Sequence, residues 1–402
     1  MALANDVCAS DKCPQYYNEQ VEEWEILLDN WLRKEYKKMN LINCNYLQQR
    51  ITENICSDLE NNNIFGASVL IAQNDKIIYK NWYGDNKENS LFRLASMTKP
   101  ISAVAIGILC DRGLISLDDD IESYIGNFEN NNIVETDGNG KIIETIPSTN
   151  KIKIRHLLAH SSGIYDKDQE EMPDLQTAVA HYKKNALRIF DAGQKQSYDT
   201  SMCAYDILAY IVEKVTGNAF KDFVKENILT PLKMMDTTFL PNREQWSRVV
   251  KMHDKVMGES VEKDMGDRVF GNFDNRRCLA GAGLIGSIDD YANFASMLQN
   301  YGTFEGERIV SEAYIQQMQQ PVTGENLMVK AYQAWGLGVR VLTDKYILPK
   351  GCYGWSGAYG THFWIDPANK IYAIYMKNSM YDGGSEAKTA KAFEVAVAES
   401  LT

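Results

Sequence analysis

Two residues three apart, Ser96 and Lys99 in Leu91-Phe-Arg-Leu-Ala-Ser-Met-Thr-Lys-Pro100, are of the types an activated nucleophile needs. An apolar run, Ala103 to Cys110, follows and continues a helix. With a helix starting near Ser96, positions i and i+3 share a face, and the Lys99 amine lies beside the Ser96 hydroxyl. A serine hydroxyl is a weak nucleophile until a neighbour takes its proton. An amine in a partly desolvated cleft loses its proton more readily, because burial disfavours the ammonium form. The helix N-terminus turns backbone N–H groups toward developing negative charge. Alone, Ser-x-x-Lys recurs by chance and reads as a solvent-facing helix start capped by Ser96. The rest of the chain decides between the two readings.

A serine nucleophile also needs a proton shuttle and a place for the carbonyl oxygen's charge. The Gly-x-Ser-x-Gly elbow is absent, and Gly354-Trp-Ser356-Gly-Ala358 stops one residue short of it. Five histidines do not place a Ser-His-Asp triad. Tyr198, in Ala192-Gly-Gln-Lys-Gln-Ser-Tyr-Asp-Thr-Ser201, is the candidate shuttle: it sits just ahead of a helix, at a loop tip, where a nearby Lys lowers its pKa. The third element is Gly354 to Pro367. Small residues at Ser356, Gly357 and Gly360 let an edge strand's backbone approach a substrate. An N–H near Ala358 is expected to pair with that of Ser96 as an oxyanion hole. Trp355 and Tyr359 are expected to line an apolar acyl pocket.

The elements that must hold these residues follow from periodicity. Trp24, Leu27, Leu28, Trp31 and Leu32 recur at helical spacing over Tyr16 to Lys38, and a second helix is expected over Tyr46 to Leu59. Ala67–Ala72 and Lys76–Trp82 form a hairpin. Residues 127 to 150, rich in Asn, Gly and Thr, read as an extended excursion. Helices are expected over Ile154–Ala159, Asp174–Phe190, Ala204–Thr216 with Gly217 as its stop, and Phe220–Ile228. Helices over Ile288–Asn300 and Ser311–Gln319 precede strands at Gly336–Leu342, Tyr353–Gly357, Thr361–Ile365 and Ile371–Met376, and Ser385–Glu399 is a terminal helix. Strands gather at both ends of the chain and helices in its middle. The expected organisation is therefore an N-terminal extension (1–45), an α/β domain made from 46–100 and 260–402, and a helical domain (101–259) inserted between, with the site at their interface.

The 402 residues suffice for a large core, and 45% apolar with 24% charged residues is an ordinary globular composition. A net charge of −12 without a Lys/Arg cluster argues against nucleic acid as a partner. No apolar run approaches the roughly 20 residues a membrane span requires. The start Met1-Ala-Leu-Ala-Asn-Asp has neither the basic start nor the apolar core of a signal peptide. Eight cysteines without Cys-x-x-Cys, and no His pair backed by a ligand cluster, give no metal site. Most thiols are expected to be reduced, in a cytoplasmic protein, with Cys8 and Cys13 able to pair if it is exported.

On these residues the chain resembles the serine β-lactamase and penicillin-binding-protein superfamily, on its class C-like branch, which includes D,D-peptidases, D-amino-acid amidases and family VIII carboxylesterases. Ser96-Met-Thr-Lys99 is similar to the family's Ser-x-x-Lys. Ile154-Arg-His-Leu-Leu-Ala-His-Ser-Ser-Gly163, Pro231–Phe239 and Gly281–Tyr291 match other recurring stretches. The resemblance implies the β-lactamase/transpeptidase-like fold: an antiparallel sheet flanked by helices, with an all-helical domain inserted. It implies Ser96 as the acylated nucleophile, Lys99 as base or electrostatic partner, Tyr198 as the Tyr of Tyr-x-Asn, and Trp355-Ser356-Gly357 at the Lys-Thr-Gly position. The oxyanion hole would be the N–H groups of Ser96 and Ala358. Thr200 stands where the family often has Asn, and Ala192 replaces a Pro. Trp355 replaces a cation that faces a substrate carboxylate, which favours esters or amides with an apolar part. The expected activity is that of a cofactor-free serine hydrolase or acyltransferase on a small-molecule ester or amide, with Trp355, Ser356, Gly357, Tyr359 and Thr200 contacting substrate. A D-amino-acid peptidase, an amidase or a weak β-lactamase, and a silent scaffold protein, are the alternatives.

Overall fold

The computed structural model describes residues 40–137, 142–166, 172–263, 278–322, 332–384 and 386–402. The helix expected over Tyr16–Lys38 and the pair Cys8 and Cys13 lie outside them. Six free thiols are present among the described residues. No helix there is long and apolar enough to cross a membrane.

The central element is a seven-stranded antiparallel sheet. Its strands, in chain order, are β1 (Gly66–Gln73), β2 (Lys76–Gly84), β3 (Gln333–Trp335), β4 (Arg340–Leu342), β5 (Tyr353–Ser356), β6 (His362–Asp366) and β7 (Ile371–Met376). In space they run β3-β4-β5-β6-β7-β1-β2, so the two chain ends meet where β7 pairs with β1. The β1–β2 hairpin turns through Asn74 and Asp75, both at positive φ, a backbone region these two residue types tolerate well.

β1 is buried along its whole length, which an antiparallel strand reaches only when helices cover both faces. Alternation sorts its side chains. Val69 and Ile71 join Leu47, Ile51 and Ile55 of α1 (Cys44–Glu60) and Phe393 and Val397 of α6 (Lys388–Glu399). Leu70 and Ala72 face the other way, into the larger core with Tyr291, Phe294 and Leu298 of α5 (Ile288–Gln299).

The larger core also takes in α2 (Thr98–Asp111), buried from Thr98 to Leu109, α3 (Leu175–Asn185) and α4 (Ser201–Thr216). Gly217 ends α4 in the left-handed conformation expected of a helix stop. The middle of the chain departs from all-helical. Ile142–Pro147, Asn132–Thr136, Leu187–Arg188 and Ile164–Tyr165 form a four-stranded sheet, and Met252–Val256 pairs with Glu259–Lys263. Two of these strands are two residues long, too short to show period-2 alternation. The helix expected to reach Phe190 stops at Asn185, because Ala186 turns extended and feeds the short strand. The single strand expected over Gly336–Leu342 is a turn leading into β4: Gly336 N–H bonds to Val339 O, and Gly338, at φ +76°, packs so tightly that a Cβ would lie 2.7 Å from Ala103.

Candidate active site

Ser96 sits in a one-turn segment, Ala95–Met97, between the short strand Phe92–Arg93 and α2. From Leu91 to Pro100 it alone is not buried. Ala95, just before it, holds φ at +46°, a left-handed conformation uncommon outside glycine. Pro100 falls in the first turn of α2, where a missing N–H costs nothing. The segment 280–285 seats this turn: Leu94 N–H bonds to Leu284 O, Leu284 N–H to Thr98 Oγ1, and Ser102 Oγ to Ala280 O.

The spacing of Ser96 and Lys99 brings them together as expected. Lys99 Nζ, only 1% exposed, lies 3.1 Å from Ser96 Oγ and donates to Gly281 O at 2.8 Å. Gly281 leaves room for that amine, since a Cβ there would be 3.3 Å from Nζ. Tyr198 completes the set, with its hydroxyl 2.5 Å from Ser96 Oγ. Lys99 Nζ also lies 5.1 Å from the Tyr198 ring centre. Burial of the phenol oxygen raises its pKa, but the Lys99 charge and the contacts with Ser96, Lys99 and the Trp355 indole outweigh that and hold it below the usual phenol value. The residue as a whole is 41% exposed: the ring edge is open while the oxygen points inward.

Tyr198 opens a short turn that runs into α4, capped by Ser197, whose N–H donates to His160 O at 2.9 Å. Gly193 N–H bonds to Ser161 O and Gln196 Nε2 to Ala159 O, so the stretch 159–163 holds the Tyr198 loop. His160 is itself at φ +55° and fully buried, with its ring edge-on to Tyr198 at 5.1 Å and to Trp335 at 4.5 Å. Burial, then the Lys99 charge, holds its imidazole well below the usual histidine value, so it is neutral at neutral pH. Trp335 lies parallel to Tyr198 at 6.1 Å and edge-on to Trp355 at 4.3 Å. Sequence reasoning gave neither residue a role at the site. His160 lies in a segment quoted for the resemblance, whereas no signal singled out Trp335, which precedes the strand expected at Gly336.

The third element is brought to the nucleophile by its backbone. β5 lies inside the sheet, but β4 pairs with it only as far as Gly354, so Trp355 to Ala358 present an open edge. Gly357 packs behind the nucleophile turn: a Cβ there would lie 2.4 Å from Leu94 O and 3.3 Å from Ala95 Cβ. Thr361 Oγ1 donates to Leu94 O. Ala358 is exposed, and its N–H makes no hydrogen bond among the described residues. Trp355 faces the Tyr198 side, with its ring 5.6 Å from that of Tyr198.

Three of the residues expected to contact substrate make contacts within the protein. Thr200 is fully buried and its hydroxyl donates to Ser197 O, closing the turn below Tyr198. Tyr359, half-buried, packs on the Leu91–Ile285 cluster, as Trp246 and Val249 do. Ser356 is 2% exposed and points to the opposite face of β5 from Trp355, as alternation requires. Its Oγ meets His362 Nδ1 at 2.8 Å; His362 Nε2 lies 3.2 Å from Glu394 Oε1, which also accepts from Arg340 at 3.0 Å. Burial alone would raise the Glu394 carboxyl, but His362 and Arg340 hold it down at about 2. Among the described residues no group of three His, Cys, Asp or Glu side chains is placed to hold a metal.

A family profile described as Beta-lactamase matches residues 51–397. Esterase EstB of Burkholderia gladioli is 25% identical over 375 residues, 81% of this chain and 89% of that protein. Protein Rv1367c of Mycobacterium tuberculosis (strain ATCC 25618 / H37Rv) is 25% identical over 378 residues, 84% and 91% of the two chains. Among solved structures, EstCE1, a hydrolase with promiscuous acyltransferase activity, superposes with a TM-score of 0.75 at 21% identity, covering 88% of this chain and 99% of its own. Simvastatin Synthase (LovD) from Aspergillus terreus superposes with a TM-score of 0.71 at 19% identity, covering 87% and 97%. The two superpositions show a shared fold.

Proposed function

Because the chain belongs to the beta-lactamase family of serine hydrolases, we propose that it cleaves or transfers the acyl group of a small ester or amide through an acyl-enzyme on Ser96. The observation that carries this reading is the convergence of the Tyr198 hydroxyl and the Lys99 amine on Ser96 Oγ, at 2.5 and 3.1 Å, at the one partly exposed residue of its stretch. Lys99 already donates to Gly281 O and to Ser96 Oγ, which leaves the Tyr198 oxygen as the acceptor. Ser96 Oγ attacks the carbonyl carbon as its proton passes to Tyr198. The Ser96 and Ala358 N–H groups receive the oxyanion. Tyr198 then returns the proton to the leaving group, and water or an alcohol or amine acceptor releases the acyl group by the same steps in reverse. No cofactor enters.

A neutral indole at Trp355, against Trp335, suits an apolar acyl or leaving group rather than a carboxylate, and supports an esterase-like reading over peptidase or β-lactam chemistry. EstCE1 is described as a hydrolase with promiscuous acyltransferase activity, and acyl transfer is the natural second outcome for the same acyl-enzyme. Initial rates on a short p-nitrophenyl ester, for wild type and Ser96→Ala side by side, test the proposal. Wild-type turnover that disappears in the variant supports it, and equal turnover in both rules it out. Adding a primary alcohol and assaying for the transferred ester separates transfer from hydrolysis.

A further inference from the structure

β5 runs into a tight turn, 357–360, and the loop Ser379–Gly384 lies against the back of it. Gly357 O accepts two backbone hydrogen bonds, from Gly360 N–H at 3.1 Å within the turn and from Gly384 N–H at 3.0 Å in the loop. The Ala358 N–H belongs to the same peptide unit as Gly357 O. That unit is trans, so its C=O and N–H point in opposite directions. Pinning the oxygen from the loop side therefore aims the N–H away from the loop, where it has no partner among the described residues. Donors on the oxygen also polarise the amide and make its N–H a stronger donor. The fit is close: a Cβ on Gly383 would lie 1.7 Å from Ala358 O. Ser379 N–H donates to Tyr359 O at 3.0 Å.

The loop is fastened from inside the protein. Lys377, 1% exposed, runs its stem along Gly360, where a Cβ would be 2.5 Å from Lys377 Cε. Its Nζ meets Asp382 Oδ2 at 3.2 Å. The same carboxylate accepts from Lys388 N–H at 2.7 Å, Thr389 N–H at 3.2 Å and Thr389 Oγ1 at 2.9 Å, at the start of α6. Asp382 thus ties the end of β7, the first turn of α6 and the loop to one another. A cap for α6 needs no lysine sealed beneath the turn 357–360, and a buried ammonium is costly without its anion.

We propose that Asp382, through its pair with Lys377, is a positioning residue of the reaction: it keeps Gly383 and Gly384 against the Gly357–Ala358 peptide and so holds the Ala358 N–H on the oxyanion. This rests on the reading of the Ala358 N–H as an oxyanion donor. One tetrahedral intermediate precedes the acyl-enzyme and another follows it, and both place charge at that donor. A misaimed donor slows acylation and deacylation together. kcat then falls, while KM, set by substrate binding and by the ratio of the two steps, stays where it was.

The test is kcat and KM on a short p-nitrophenyl ester, with melting temperature read alongside, in wild type, Asp382→Asn, Gly383→Ala and Asp366→Asn. Asp382→Asn keeps an oxygen to cap α6 and removes the charge opposite Lys377. Gly383→Ala keeps the pair and sets a methyl group on Ala358 O. Each is expected to lower kcat about ten-fold, less than the roughly 10²–10³ lost with an oxyanion donor itself, at nearly unchanged KM. Asp366, 1% exposed, caps the turn at the far end of β6 through the N–H groups of Ala368 and Asn369, so Asp366→Asn lowers the melting temperature and leaves kcat in place. The proposal is overturned if either variant, folded, keeps wild-type kcat, if kcat falls no further than in Asp366→Asn, or if KM alone rises, which would mark a substrate contact instead. Ala358→Pro deletes the N–H itself. Full kcat there would remove Ala358 as the donor, a distinct failure; a loss there with none in the loop variants would keep the donor and overturn the positioning.

Discussion

The end of β5 carries two serine constellations, one toward each face of the sheet. Toward the larger core side, Ser96 meets Tyr198 and Lys99. Toward α6, Ser356 meets His362, and His362 meets Glu394. By residue type, the second set is the more familiar nucleophile chain, a serine, a histidine and a carboxylate. By environment it is closed to substrate. Ser356 is 2% exposed, and the Glu394 charge is matched by Arg340. Around Ser96 the residue is partly exposed, the exposed Ala358 N–H makes no hydrogen bond among the described residues, and the Trp355 N–H has none either. On the proposed function, what separates the two serines is access to solvent more than the types of their partners.

The sharpest way to break this contrast is to remove each serine in turn. Ser96→Ala is expected to lower kcat by several orders of magnitude, as loss of an activated nucleophile does, whereas Ser356→Ala stays within a few-fold of wild type. A fluorophosphonate followed by peptide mapping would be found on Ser96 and absent from Ser356, and label on Ser356 would overturn the comparison. Next come the proton partners. Lys99→Ala and Tyr198→Phe should each cost roughly 10²–10⁴ in kcat/KM, while His362→Gln leaves the acylation step nearly intact; a His362 effect as large as that of Lys99 would join the two sets into one machine.

Smaller effects belong to stability. Glu394→Gln leaves Arg340 buried without its anion and is expected to cost about 3–5 kcal/mol in urea denaturation. The pH course of that loss has a definite sign. A carboxyl depressed to about 2 from its ordinary 4.5 contributes stability that is complete above the ordinary value and disappears as pH falls through about 2. The gap between wild type and variant should thus be widest above pH 4.5 and close toward pH 2; a constant gap would mean the carboxylate's charge is not what matters. The smallest effect is that of Ser356→Ala on stability, about 1 kcal/mol for one buried hydrogen bond.

The two sets were not equally legible. Ser96, Lys99 and Tyr198 could be read because a helix fixes the first pair three residues apart and because the Tyr precedes a helix start. The β1–β2 hairpin and α2 and α4 were legible through long periodic runs. Ser356 could be placed on a strand, but which face it took depends on register, and a one-residue shift exchanges the faces. Thr200 looked available for substrate because its neighbours are polar, yet its hydroxyl is taken up by Ser197 O in the turn itself. Trp335 enters the site only through a hairpin pairing that brings Trp335 opposite Arg340 and Arg340 opposite Gly354, and no local pattern reports such long-range register.

Ala95 carries a last consequence. Its left-handed backbone immediately precedes Ser96, and Gly357 fits against it because it has no side chain. Glycine at 95 would relieve the steric cost, so a search for heat-resistant variants would be drawn to Ala95→Gly. The same change would slacken the turn from which the nucleophile is presented. If Ser96 is the nucleophile, thermal endurance and catalytic vigour are set against each other at this one methyl group, and breeding the protein for the first alone would wear away the second.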